Sequence, residues 1–206
     1  MKLLVDCHCF DYKINQGITT YLKGIYTQLP KLSPEIDFYF VAENIKNIMK
    51  IFGNSRNIYY IPLTSKNRIY RLFFEIPKII KKNNIDIAHF QYVSPIIKNC
   101  KTIVTLHDIL FIDYPQYFPF SYRFSKTLPF KLSAKRADLL CTVSAYSKER
   151  ISKIFKIKEA DIAITPNAVD PAFYKIEGER PTNFPKKYIL YVSRIEPRKN
   201  HKLIVE

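Results

Sequence analysis

Glycine is scarce in this chain: only Gly17, Gly24, Gly53 and Gly178 occur among 206 residues. With so few, neither the G-x-G-x-x-G turn of a dinucleotide site nor a Walker A loop can be written, which argues against an NAD enzyme and a P-loop NTPase. Cysteine is sparse too. Cys7, Cys9, Cys100 and Cys141 sit mostly in apolar, strand-like surroundings and read as reduced core thiols rather than a disulfide framework. Cys7-His8-Cys9 has metal-binding residue types, yet no second ligand pair is nearby, so zinc is set aside. Long apolar runs are absent as well. The start, MKLLVDCHCF, is cut by Asp6 too early for a signal-peptide core, and nothing later approaches the about 18 to 20 apolar residues of a spanning helix. The expected location is the cytoplasm. Acidic residues are in deficit, 18 against 33 Lys and Arg, leaving a formal charge of +15. That excess favours an anionic partner (nucleic acid, a phospholipid surface or a phosphorylated substrate), although its even spread also fits plain compositional bias.

What is present is an alternation of apolar strands and amphipathic helices. Strands are expected at Lys2 to Val5, Ile36 to Ala42, Ile58 to Pro62, Ile85 to Phe90, Lys101 to Leu106, Asp138 to Val143 and Asp161 to Thr165. Helical spacing covers Ile18 to Leu32, Arg68 to Lys82 with a kink or break at Pro77, about Tyr122 to Ala137, and Ala145 to Phe155. Strands joined by helices of this length need crossover connections, which predicts an α/β fold with a doubly wound, mainly parallel sheet. From Pro166 to Lys187 the pattern lapses into a Pro-rich polar stretch that reads as an interdomain linker, after which Tyr188 to Val192 reads as a buried strand. The expected division is residues 1–180, with the linker from about 166, and residues 181–206 as the start of a second domain.

In such sheets ligands bind beyond the carboxyl ends of the strands. Gly17 opens the first helix, where free N–H groups and the helix dipole suit phosphate, though glycine there is also ordinary turn chemistry. His107 and Asp108 end the KTIVTL strand; the imidazole could bond a substrate hydroxyl or move a proton while the carboxylate orients a loop. His89 looks like part of a packed edge. Ser144 stands where it would cap the next helix, a role that explains it fully, while hydroxyls and free N–H groups there could also hold an oxyanion. KERISKIFKIK, with its stripe of Ile151, Ile154 and Phe155, could lie on an acidic membrane surface or be a solvated face over a core contact.

Taken in order, Gly17, TLHD at 105–108, TVSAYSKE at 142–149, TPNAVDPAFY at 165–174 and YVSRIEPRKN at 191–200 resemble glycosyltransferase family 4, nearest its mannosyltransferase-like members. The resemblance implies a GT-B fold, in which two Rossmann-like domains face each other across a cleft, and retaining transfer of a hexose from a nucleotide sugar to a glycan or lipid-linked acceptor. It also implies that Arg194 and Lys199, with Gly17, grip the donor diphosphate, that His107 is a catalytic residue near the donor sugar, and that Asp108, Ser144 and Asn167 belong to the cleft or acceptor side. Cations at a strand end can neutralise charge growing on a departing diphosphate, so no cofactor and no metal is expected. Two departures from the family pattern stand out: Gln16-Gly17 replaces paired glycines, and Asn200 follows Lys199 where glycine is common. The Glu-x7-Glu element of the donor site would lie beyond Glu206, so the chain is expected to be an N-terminal fragment, inactive by itself. Peripheral contact with an anionic membrane stays open, and nucleic acid is not expected, since the aromatic residues fall within apolar runs rather than in a recognition motif. A non-catalytic acceptor-binding module is the first alternative and a basic nucleic-acid-binding protein the second.

Overall fold

The computed structural model describes residues 1–12, 17–169, 185 and 187–205; Gln16 and most of the expected linker, at 170–184 and 186, lie outside them. Seven strands form one sheet: β1 (Lys2–Asp6), β2 (Asp37–Ala42), β3 (Ile58–Pro62), β4 (Ile87–Gln91), β5 (Lys101–Thr105), β6 (Leu139–Thr142) and β7 (Ile162–Ile164). All neighbours pair in parallel, in the order β3-β2-β1-β4-β5-β6-β7. This is the Rossmann arrangement, with its switch point between β1 and β4. Helices cover both faces because parallel neighbours cannot be joined by a tight turn.

Expected helix boundaries shift where proline intervenes. The run from Ile18 to Leu32 divides into α1 (Gly17–Tyr26) and α2 (Leu29–Leu32), since Pro30 lacks the N–H a continuous helix would need. Pro77 does not break its helix. The chain instead widens just before it, α4 (Arg68–Tyr70) passing through a π-helical segment at Arg71–Glu75 into α5 (Ile76–Asn83), with the Ile76 N–H bonded to the Arg71 carbonyl. Absent from the sequence reading is α3 (Ile45–Phe52). Asn44 caps it by accepting from the Asn47 N–H, and Gly53 ends it at φ 71°, a conformation that favours glycine. The short α6 (Leu110–Asp113), the 17-residue α7 (Phe120–Arg136) and α8 (Ala145–Phe155) complete the layers.

One alternative is decided and one expectation is corrected. In α8, Ile151 and Phe155 are fully buried against β5 and β6 residues Val104 and Leu140, with Ile154 packed beside them, so its apolar stripe is core rather than a membrane-facing surface. Tyr188–Val192 forms no strand and is not buried: Ile189, Leu190 and Val192 are 82%, 73% and 82% exposed. An apolar strand needs neighbours to satisfy its backbone and cover both faces, and the seven-stranded sheet does not include this segment. Among the described residues no helix is long and apolar enough to cross a membrane. Because Ile151 is core, Ile151→Ala should lower unfolding free energy by about 2–5 kcal/mol in urea titrations while leaving binding to anionic vesicles unchanged; a vesicle effect without a stability loss would restore the membrane-facing reading.

Candidate active-site cleft

Parallel strands deliver their carboxyl ends to one edge, and a cavity of about 580 Å³ opens there, lined by residues that follow β1, β4 and β5 together with the face of α7. Gly17, His107, Asp108 and Arg194 all line it, joined by Arg198. Lys199 does not, although its charge, like that of Arg198, acts on Asp108. Nor do Ser144 and Asn167. Ser144 caps α8, its Oγ accepting from the Ser147 N–H at 3.1 Å, and Asn167 is exposed.

His107 is held from several sides. Its Nε2–H donates to Gln91 Oε1 at 2.8 Å, and the Gln91 amide nitrogen donates to His89 Nε2 at 3.1 Å. His89 Nδ1–H then donates to the Tyr26 hydroxyl at 2.7 Å, while the Thr105 hydroxyl lies 2.8 Å from His89 Nε2. With Nε2–H committed to Gln91, the free acceptor of His107 is Nδ1. Tyr21 meets the imidazole edge-on at 5.0 Å and Tyr92 lies across it at 5.5 Å. The Ser147 hydroxyl donates to the His107 carbonyl at 2.9 Å, so α8 fixes the backbone as well.

Tyr92 is the residue that sequence patterning missed. Its φ is 64°, and the Val93 N–H bonds the Gln91 carbonyl at 2.8 Å, making a three-residue γ-turn at the end of β4. Backbone in that region costs about 1–3 kcal/mol in a non-glycine residue and marks functional sites. The turn places the ring between His107 and Phe130. Gln91 was legible only as a polar residue ending an apolar strand; nothing in the sequence signals the left-handed tyrosine.

Electrostatically the cleft is cationic. Arg68, Lys126, Arg194 and Arg198 line it, against one acidic side chain, Asp108. Burial raises the Asp108 carboxyl, partly offset by the Leu110 N–H it accepts and by Arg198. Glu196 pairs with both arginines of the basic cluster, at 3.1 Å to Arg194 and 2.7 Å to Arg198. After the single turn Pro197–Lys199, Asn200 adopts φ 49°, a left-handed conformation that asparagine tolerates better than most residues other than glycine. On the opposite wall, His8 donates Nδ1–H to Asp6 at 2.9 Å. Burial pushes the Asp6 carboxyl up, but His8 and Arg71 outweigh it and leave Asp6 below its usual value. Arg71 is itself buried with Nε lacking a hydrogen-bond partner among the described residues, so its attraction to Asp6 is electrostatic. The neighbouring Cys7 and Cys9 thiols are core groups raised by burial, and no group of three metal-binding side chains occurs among the described residues.

With this geometry in place, comparison with known proteins is informative. The family model described as Glycosyltransferase Family 4 matches residues 16–173. The chain belongs to glycosyltransferase family 4. Among solved structures, a glycosyltransferase from Rickettsia africae superposes with a TM-score of 0.54 at 20% identity over 85% of this chain and 46% of that one. A protein of Listeria monocytogenes described as a candidate UDP-N-acetylglucosamine 2-epimerase gives 0.55 at 13% identity, over 78% of this chain and 43% of that one. The family 4 member thus shares the Rossmann-like, GT-B-type fold and spans less than half the length of these structural relatives. No curated protein matches it significantly.

Two buried imidazoles give the cleft a pH signature. Burial lowers His107 to about 4, and burial together with His107 lowers His89 to about 3. Both rings therefore stay neutral in the fold while the unfolded chain takes up protons below about pH 6.5. Their stabilising contribution is complete above that pH and is lost as pH falls toward about 4 and about 3, with a slope of at most about 1.4 kcal/mol per pH unit for each ring. Urea unfolding between about pH 7 and 4.5 should show this decline, and His107→Asn should reduce its slope; a flat profile would contradict the neutral, buried pair.

Proposed function

We propose that the chain is the acceptor-side domain of a retaining hexosyltransferase, moving a hexose such as mannose from a nucleoside diphosphate sugar to a glycan or lipid-linked acceptor. One observation carries the reading: the start of α1 at Gly17, the His107 imidazole and the cations Arg194 and Arg198 share one cavity at the carboxyl edge of the sheet. The positive dipole end of α1 and the basic cluster can bind a diphosphate and stabilise the charge it gains on leaving. Arg198 joins Arg194 and Lys199 in this role. His107, with Nδ1 open, accepts a hydrogen bond from a sugar hydroxyl and is held in place by Gln91 and Tyr92. Retention follows from front-face attack in which the departing diphosphate takes the acceptor proton. The exposed run Tyr188–Val192 fits as the first strand of a donor-side domain whose remaining strands would cover it.

Steady-state transfer by the intact protein, assayed with a panel of UDP- and GDP-hexoses, tests the assignment. His107→Ala should lower kcat and kcat/KM together by about 10²-fold without loss of fold, and Arg194→Ala or Lys199→Ala should each lower transfer by a similar factor. A fall in melting temperature with turnover of the folded protein unchanged would reduce His107 to a structural residue. Gly17→Ala separates packing from ligand approach. A methyl group built at Gly17 meets no protein atom within 4 Å, so the melting temperature should hold while transfer falls at least tenfold. Unaltered transfer would place the diphosphate elsewhere.

A further inference from the structure

Beside the cleft lies a second concavity of about 500 Å³, within the about 300–1,000 Å³ usual for small-molecule sites. Its walls are Ile69, Leu72 and Phe73 from α4 and the π-helical segment, Ile96 from the loop after β4, and Leu128 and Leu132 from α7. Each helix lacks part of the regular bonding ladder here. The π-helical segment widens one, and Pro129 inside α7 leaves the Ser125 carbonyl without its usual donor. Apolar side chains remain uncovered here, with Ile69 67% and Leu128 61% exposed. Monomeric proteins seldom leave a contiguous apolar face of this kind without a use.

Charge identifies the occupant. Arg68 and Lys126 line both the groove and the cleft, so the two cavities meet at a pair of cations. No acidic residue lines the groove. Along its 17 residues α7 carries five basic side chains and no acidic one, and the nearest carboxylate on the facing helix, Glu75, is occupied by Thr64 and Ser65. Neither Arg68 nor Lys126 forms an ion pair among the described residues; Lys126 instead lies 5.7 Å from the Tyr122 ring. Burial and the Arg68 charge both depress the Lys126 ammonium, the expected state of two like charges awaiting an anion. Self-association is disfavoured, because it would press two such basic faces together on chains of formal charge +15.

We propose that this groove holds the single hydrocarbon chain of an anionic amphiphile, a lipid phosphate, with its phosphate between Arg68 and Lys126 where groove and cleft meet, so that a phosphate oxygen faces the cleft as acceptor. The acceptor role rests on the transferase reading above; the groove's occupant does not.

The test titrates the intact protein calorimetrically with octyl, decyl and dodecyl phosphate below their critical micelle concentrations. Inorganic phosphate, dodecyl maltoside and phosphatidylglycerol vesicles serve as controls. Affinity should rise roughly tenfold for each two methylenes added while the chain stays within the groove. Leu128→Asp and Ile69→Asp, both at exposed positions, should weaken dodecyl phosphate at least tenfold with the melting temperature unchanged. Arg68→Ala and Lys126→Ala should abolish the preference for dodecyl phosphate over dodecyl maltoside. The proposal is overturned if inorganic phosphate binds as tightly as dodecyl phosphate, if dodecyl maltoside does, if only vesicles bind, or if Leu128→Asp alters nothing but self-association. Binding and hydrolysis of nucleotide sugars by the unmodified protein are measured alongside. Their absence with lipid binding intact removes the acceptor role and the transferase reading, whereas their presence without lipid binding removes only the groove.

Discussion

Six parallel pairings in succession dictate most of this molecule. A parallel pair cannot be closed by a tight turn, so the chain must return across a face after each strand, and the helices that carry it back bury both sides of the sheet. Every carboxyl end then arrives at the same edge. His8, the Gln91–Tyr92 pair and His107 come from three different strand ends, and they meet because each follows or ends a strand of that edge.

Within the edge, polar order depends on a string of hydrogen bonds between β4 and β5. Tyr26, His89, Gln91 and His107 are linked by contacts of 2.7 to 3.1 Å, all buried. Burial keeps the two imidazoles neutral, and neutrality with Nε2–H committed leaves His107 one defined free acceptor. The strained turn at Tyr92 completes the pocket by laying a ring across His107. Its cost is offset by a packed sheet on one side and Phe130 on the other.

Helix irregularities do for the neighbouring groove what strand ends do for the cleft. Pro77 and Pro129 each remove a backbone donor; the first helix widens just before its proline, whereas α7 continues through Pro129 as an α-helix. Apolar side chains that a regular pair of helices would bury against each other are left lining a trough. Two cations at its junction with the cleft give the trough a chemical polarity.

Periodicity alone determined the alternation of elements, the parallel sheet and the carboxyl-edge position of His107, because period-2 and period-3.6 patterns follow local burial. α8 was legible to the residue at Ala145–Phe155, while α3 was overlooked because eight residues offer little periodic signal beyond the Asn44 cap and Gly53 stop. Family motifs supplied the basic cluster at 194–199, but not that Arg198 rather than Lys199 reaches the cavity wall, which depends on how one turn is oriented against the body. Whether an apolar run is buried is likewise a property of its neighbours. The stripe of α8 found a core, whereas in Tyr188–Val192, as apolar a segment, Ile189, Leu190 and Val192 lie exposed and no strand forms. Tertiary structure alone decided the left-handed Tyr92, the Gln91 bridge between two histidines and the junction of cleft and groove at Arg68 and Lys126, since each joins residues that sequence spacing does not relate.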